Sequence, residues 1–351
     1  MAMTLRILFL THKFYPDVGG IEVNSEILAN AFHRAGHTLR LLTWSRGDDK
    51  KKFPFEVTRD PSVLEMLQAH RWADVVFENN PCMRLAWPSV FFLKPSIVAL
   101  RTWVSRSDGR IQWQDKIKLA RLKHARSVIA VSDSVRRKCW PKAVVIANPY
   151  RADTFVSLEN SKRDYDFVFL GRLVSDKGAD LAIKALQKVM YAKDAGQKNE
   201  GAGYSLTIIG DGPDRKKLED LANALGPRVR IRFTGILRGK VLVSWLNRHK
   251  YLLVPSVWEE PFGNVVLEGM ACGCIPIVSD GGGLPDAVGD AGLIFKRGDV
   301  DSLTGCIRKV IDDADLRARL RKAAKSHLAA HHPDIIAEKY LDVIRSVKST
   351  S

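Results

Sequence analysis

Two carboxylates, Glu260 and Glu268, stand eight residues apart in EEPFGNVVLEGMACG, residues 259–273, a segment otherwise mostly apolar. If one helix carried both, a rise of ~1.5 Å per residue would set them roughly 12 Å apart along its axis. That is too far to share a metal or a proton. It also exceeds the spacing of about 5 to 10 Å that a pair of glycosidase carboxyls needs. The separation suits the two ends of one long ligand. A helix starting near Gly263 or Asn264 would aim its first-turn amides, near Asn264 and Val265, at an anion in the middle. An anion flanked by hydroxyl-rich groups describes a nucleoside diphosphate sugar. The plainer alternative is one solvated Glu and one Glu satisfied by a local cap.

Other residues of this kind follow apolar runs. GRLVSDKG places Gly171, Arg172 and Lys177 after the run Asp166–Leu170. An Arg fork and a Lys point charge at a strand exit suit a diphosphate, although basic loop residues are usually just solvated. IIGDGPDRKK puts Gly210 and Gly212 before a helix, either to bring backbone near a ligand or to make a tight turn. Gly281, Gly282 and Gly283 follow Ile275–Val278, and Gly19-Gly20 precede a helix after the first run. Asp299 and Asp301 open a helix and read as N-terminal caps, not as a metal-binding pair.

These residues need strands in front of them and helices behind. Short apolar runs alternate with amphipathic stretches along the whole chain, the mark of an α/β protein with parallel sheets. The first half predicts strands at Arg6–Thr11, Thr38–Thr43, Ala73–Glu78, Ile97–Leu100, Ser127–Val131 and Ala143–Ala147. The second predicts them at Asp166–Leu170, Ser205–Ile209, Arg230–Thr234, Tyr251–Val254, Ile275–Val278 and Leu293–Phe295. Two doubly wound sheets follow, in domains 1–150 and 151–333, linked through the polar stretch Asn148–Tyr165. A last helix within 334–351 can cap either domain and could pack back on the first. The polar run Lys193–Gly203 reads as a surface loop. Ligands of such sheets bind outside the carboxyl ends of the strands, where the strand order reverses. Two facing sheets would place the site in the cleft between them.

The chain has 351 residues, 46% hydrophobic and 27% charged, with a net charge of +16. This is the profile of a soluble globular protein with a substantial core. Most of the positive charge lies in residues 1–150. Arg110–Lys142 holds ten basic residues against Asp115 and Asp133, with Trp113 and Trp140 among them. Such a face suits an anionic membrane or an acidic saccharide, or is a solvated helix face. No nucleic-acid module accompanies the charge. Five scattered cysteines imply no disulfide framework and point to a reducing cytosol, and Cys272 and Cys274 lack the partners of a zinc site. Ser89–Leu100 is interrupted by Lys94 and Pro95 and is too short to span a bilayer, so membrane contact would be peripheral.

These motifs together resemble the retaining glycosyltransferases of family 4, over essentially the whole length. The carriers are Gly19-Gly20, Ala35-Gly36-His37, Gly171-Arg172 with Lys177, Gly210-Asp211-Gly212-Pro213 and, most specific, PSVWEEPFGNVVLEGMACGCIPIVSDGGGLPD. The resemblance implies the GT-B fold, two Rossmann-like domains facing across a deep cleft. It implies a cytoplasmic enzyme that moves a sugar from a nucleoside diphosphate sugar to a saccharide or lipid-linked acceptor, with retention and without a metal or other cofactor.

On that resemblance Glu260 lies by the donor sugar and Glu268 binds the ribose. Arg172 and Lys177 hold the diphosphate, and Gly19 and Gly20 close over it. Gly171, Gly210, Gly212, Phe262, Gly263, Asn264 and Val265 complete the donor site. Many members carry a His after the fourth strand of the first domain, where this chain reads VALRTWVSRSDG. Arg101 or Asp108 would stand in, and Glu78, Asn79 and Asn80 are candidates for the acceptor side. An epimerase or hydrolase acting on nucleotide sugars, or a binding protein without turnover, is the alternative.

Overall fold

The computed structural model describes residues 4–17, 19–47, 51–104, 112–159, 161–193, 203–225 and 229–349. The chain forms two compact units, Met1–Pro149 with His331–Ser351, and Tyr150–Ala330.

The first unit is built on β1 (Arg6–Thr11), β2 (Thr38–Thr43), β3 (Glu56–Arg59), β4 (Val75–Asn79), β5 (Ser96–Leu100), β6 (Ser127–Ala130) and β7 (Val144–Val145). They form one parallel sheet in the order β3-β2-β1-β4-β5-β6-β7. The order reverses between β1 and β4, which pair with Ile7 opposite Val75. Successive side chains of β1 leave on opposite faces. Ile7 and Phe9 enter a core with Phe32, Phe77 and Tyr340, while Leu8 and Leu10 enter another with Met66, Val76 and Leu85. Burial on both faces explains why these strands read as continuous apolar runs.

Several strands shift by one or two residues at an end, and three differences have a clear physical cause. β3 was not foreseen: EVTR carries one aliphatic residue and lies half-exposed at the sheet edge. β4 starts at Val75 and not at Ala73, because Ala73 closes the preceding helix by donating its N–H to the Ala69 carbonyl. β7 shrinks to two exposed residues at the other edge.

In the second unit β8 (Tyr165–Leu170), β9 (Ser205–Ile209), β10 (Arg230–Gly235), β11 (His249–Val254), β12 (Ile275–Ser279) and β13 (Leu293–Phe295) form a parallel sheet. Its order is β10-β9-β8-β11-β12-β13, with the reversal between β8 and β11. The core gathers Phe167, Phe169, Ile208, Leu253 and Ile277 with Leu186 and Ile307 from flanking helices.

The last helix, Pro333–Ser349, belongs to the first unit. Tyr340 is fully buried there, its ring edge-on to Phe77 at 5.7 Å. Residues 194–202, most of the polar run expected to be a loop, lie outside the described residues.

Candidate functional site

The reversal between β8 and β11 carries the chemistry of the second unit. Beyond β8 come Gly171, Arg172, Asp176 and Lys177; beyond β11 come Ser256, Trp258 and Glu260. With Gly263, Asn264 and Val265 they line a pocket of about 490 Å³, the place where ligands of open parallel sheets bind.

Backbone contacts fix the two loops together. The Asp176 carbonyl accepts from the amides of Val257 (2.9 Å) and Trp258 (3.1 Å). Gly178 adopts φ +70°, and a Cβ there would lie 2.0 Å from the Pro255 carbonyl oxygen. Only glycine tolerates both the conformation and the approach, and the result sets Lys177 beside Glu260. Lys177 Nζ is ion-paired with Glu260 Oε1 and lies 5.2 Å from the centre of the Trp258 ring. Ser256 Oγ lies 3.1 Å from the same carboxylate oxygen and 3.0 Å from the Asp176 carbonyl, with one proton to donate.

Arg172 is exposed and has no carboxylate partner among the described residues. Across the pocket, the helix Asn264–Ala271 starts at Gly263, whose φ of +100° ends the preceding loop. A free guanidinium, an ammonium and first-turn amides therefore share one pocket, a setting for a polyanion.

The carboxylate spacing is corrected by the structure. Glu260 is not on the helix that carries Glu268; it forms a parallel bridge with Gly282 and hands its carbonyl to the Gly283 amide at 2.6 Å. Glu260 precedes Pro261, which disfavours helical geometry, so a rise per residue does not measure the gap. Glu268 lies within the helix, half-buried, outside the pocket wall. Burial pushes its carboxyl up to about 7, against the opposing charge of Arg151.

The glycines divide by role. Gly171 lines the pocket. Gly210 and Gly212 press on protein backbone: a Cβ on either would lie 1.8 Å from the Gly171 carbonyl oxygen or 2.3 Å from that of Leu173. They shape the loop that bears Arg172 and are not in the pocket wall, which corrects their assignment to the ligand. The triple glycine likewise approaches Glu260: Gly282 has φ +66°, and a Cβ there would lie 2.1 Å from the Glu260 carbonyl oxygen. Phe262 is also corrected, being 2% exposed and part of the core. Asp299 caps its helix by accepting from the Ser302 amide at 2.9 Å, while Asp301 pairs with Lys188.

Sequence reasoning missed Asp176, Ser256 and Trp258. Asp176 lines the pocket, and its Oδ1 is buried without a hydrogen-bond partner among the described residues. No spacing rule joins loops some eighty residues apart. The presence of Asp176 between Arg172 and Lys177 was the one available signal.

In the first unit, Gly19 is extended and Gly20 begins the helix Gly20–Arg34 after β1. Glu78, expected on the acceptor side, is fully buried and ion-paired with Arg121 at 2.6 Å, and its other oxygen accepts from the Cys82 amide. Burial raises its carboxyl while Arg121 opposes. Asn79 is buried too, donating to Ser25 Oγ and accepting from Arg101 Nε, both at 2.6 Å. Arg101 is 5% exposed; its Nη1 donates to Asn148 Oδ1 (2.9 Å) and Tyr340 OH (2.7 Å). Asn79 and Arg101 bind each other, Glu78 is held by Arg121 and the Cys82 amide, and all three side chains are buried among the described residues. Asn80 stays half-exposed, with φ +79° and its Oδ1 accepting from the Arg101 amide. Asp108 and Arg110 lie outside the described residues.

Among the described residues no group of three or more His, Cys, Asp or Glu is placed to hold a metal ion.

Comparison with known proteins places this geometry. The chain is 31% identical to an uncharacterized glycosyltransferase of Methanocaldococcus jannaschii over 51% of its length, a match that covers 44% of that relative, less than half. It is 28% identical to the lipopolysaccharide core biosynthesis glycosyltransferase LpsD of Rhizobium meliloti, over 95% of this chain and 96% of that one. The crystal structure of Anabaena HepE in complex with UDP superposes with a TM-score of 0.81 at 18% identity, covering 97% of this chain and all of that one, and so shares the GT-B fold. Residues 151–327, which contain the whole pocket, match the model of one family: the chain belongs to the glycosyl transferases group 1.

Proposed function

We propose that the chain is a retaining glycosyltransferase that takes a sugar from a nucleoside diphosphate sugar and passes it, without a metal, to a saccharide or lipid-linked saccharide during synthesis of a surface polysaccharide or glycolipid. The observation that carries this is the pocket where Arg172, Lys177 and the Asn264 helix start converge around a space sized for a nucleotide. The relatives support it: HepE was crystallised with UDP, and LpsD acts in lipopolysaccharide core synthesis. The enzyme would work in the cytoplasm, with peripheral contact to the inner membrane face.

In this reading the diphosphate sits between Arg172, Lys177 and the helix amides. Charge develops on it as the bond to the anomeric carbon breaks, and fixed cations and amides meet that charge without reorganising. Glu260, held by Ser256 and by the Gly282 bridge, receives the sugar. Glu268 accepts from the ribose hydroxyls.

Enclosure of Arg101, where relatives of this type often carry a His, favours a second reading, in which the chain acts on or binds nucleotide sugars without transferring them. Incubation with nucleotide sugar and an acceptor pool, followed by NMR of the products, separates the two. A new glycosidic linkage supports transfer; an epimer or free sugar alone supports an epimerase or hydrolase.

A further inference from the structure

The turn after β4 exposes apolar side chains that no packing requirement explains. Trp87–Val90 form a 3-10 turn, closed by the Phe91 amide on the Pro88 carbonyl (3.1 Å) and the Lys94 amide on the Ser89 carbonyl (3.4 Å). Phe91 is 73% and Leu93 88% exposed. Leu93 also holds φ +46°, a region unfavourable for a branched apolar residue. Asn or Gly there would relieve both the strain and the exposure. Trp87 stands edge-on to Phe91 at 5.8 Å, so the two rings pack together on the turn.

The helix Trp113–His124 is fastened beside this turn. Arg121 reaches from its inner face to Ser89 Oγ (3.3 Å) and to Glu78 (2.6 Å). Its outer face presents Trp113, Lys116, Ile117 and Lys123 at helical spacing, all exposed. Among the described residues from 79 to 126 the one carboxylate, Asp115, is buried, while Arg84, Lys116, Lys123 and Arg126 are exposed. Neighbouring elements bring exposed Glu65 and, near Lys94, Asp74, so the cations are in excess and not alone; exposed apolar groups beside such an excess complement an anionic bilayer, whose phosphates take the cations and whose acyl boundary takes the rings and leucine.

We propose that the Trp87–Leu93 turn inserts into an anionic lipid surface and that the outer face of the Trp113–His124 helix lies on its headgroups. This deepens the proposed peripheral location by naming the wedge, which the basic run alone does not supply. No described helix is long and apolar enough to cross a membrane, so the contact is superficial. The test reads no nucleotide chemistry, so its failure leaves the transferase reading standing.

The full chain is floated with vesicles of phosphatidylcholine alone and of phosphatidylcholine with phosphatidylglycerol, at low and high salt. Retention on the anionic vesicles, weakened by salt, is expected. Replacing Phe91 and Leu93 together by Ser should lower the partition coefficient about tenfold or more without changing the far-UV spectrum. Replacing Lys116 and Lys123 by Glu should remove the preference for phosphatidylglycerol while leaving the turn intact. Wild type that fails to float with anionic vesicles overturns the proposal, as does a double Ser variant that floats equally well. Light scattering that shows self-association lost in the same variant would make the turn a contact between copies of the chain, and would equally overturn it.

Discussion

Lys177 and Glu260 hold each other: the two side chains are ion-paired on the pocket wall, and Ser256 braces the pair. In the proposed function, a donor entering the pocket would take Lys177 from Glu260 and so free Glu260 for its own hydroxyls. A nucleotide without a sugar breaks the pair and gives Glu260 no substitute.

Glu260→Gln should therefore bind a bare nucleoside diphosphate roughly 3- to 10-fold more tightly, since Lys177 loses a charged competitor in a partly exposed pair. Sugar turnover should fall about 100-fold. Calorimetry and a rate assay check both. Unchanged affinity would mean that the pair does not compete with the ligand.

Glu268 sets a pH dependence. Its folded pKa of about 7 lies above the ordinary 4.5 because of burial. Its contribution to stability is then full below about 4.5 and is lost as pH rises through about 7. The melting temperature should fall over that window, and Glu268→Gln should flatten the fall. If ribose hydroxyls donate to the carboxylate, nucleotide affinity should rise over the same window in the wild type and not in the variant. The neighbouring Cys272 thiol, pushed up to about 12, stays neutral throughout. Melts and titrations across this range that are identical in the variant would assign the effect elsewhere.

What could be read in the sequence follows burial. Strands buried on both faces, such as β1 and β9, announced themselves as apolar runs with the observed bounds, while the exposed edges β3 and β7 did not. Arg172, Lys177, Glu260 and the Asn264 helix start were legible because a strand exit and a glycine break mark them. The burial of Glu78 and Asn79 was not legible, because a strand end says where a side chain starts, not whether an arginine from a later helix, Arg121, or from the next strand's exit, Arg101, covers it. The position of Glu260 off the helix was available in Pro261. The inward use of Gly210, Gly212 and Gly282 was not, since their partners are carbonyls of other loops.

Gly282→Ala tests how Glu260 is held. A Cβ would collide with the Glu260 carbonyl, and φ +66° resists any side chain. The Glu260 backbone must shift, and a displacement near 1 Å costs on the order of 100-fold in rate. Nucleotide affinity through Arg172 should change much less. Equal losses in both would show that the substitution unfolds the pocket.

The Arg101 cluster gives a stability prediction. Arg101→Ala removes the donor to the buried Asn79 oxygen and one donor to that of Asn148, which keeps Asn24 Nδ2, and should destabilise the first unit by about 3 kcal/mol. Tyr340→Phe removes one of its bonds and should cost about 1 kcal/mol. Denaturant unfolding with transitions resolved for the two units measures this. An Arg101→Ala variant of unchanged stability would return that residue to the acceptor side.

The central claim is that the second-unit pocket binds a nucleoside diphosphate sugar through Arg172. Titration of UDP, GDP and ADP sugars into wild type and Arg172→Ala, followed by calorimetry, tests it most directly. One nucleotide series should bind the wild type, and Arg172, exposed and without a carboxylate partner among the described residues, should be replaceable by Ala with affinity reduced about tenfold or more and the melting temperature unchanged. Binding of none of the three series, or equal affinity in the variant, would contradict the account.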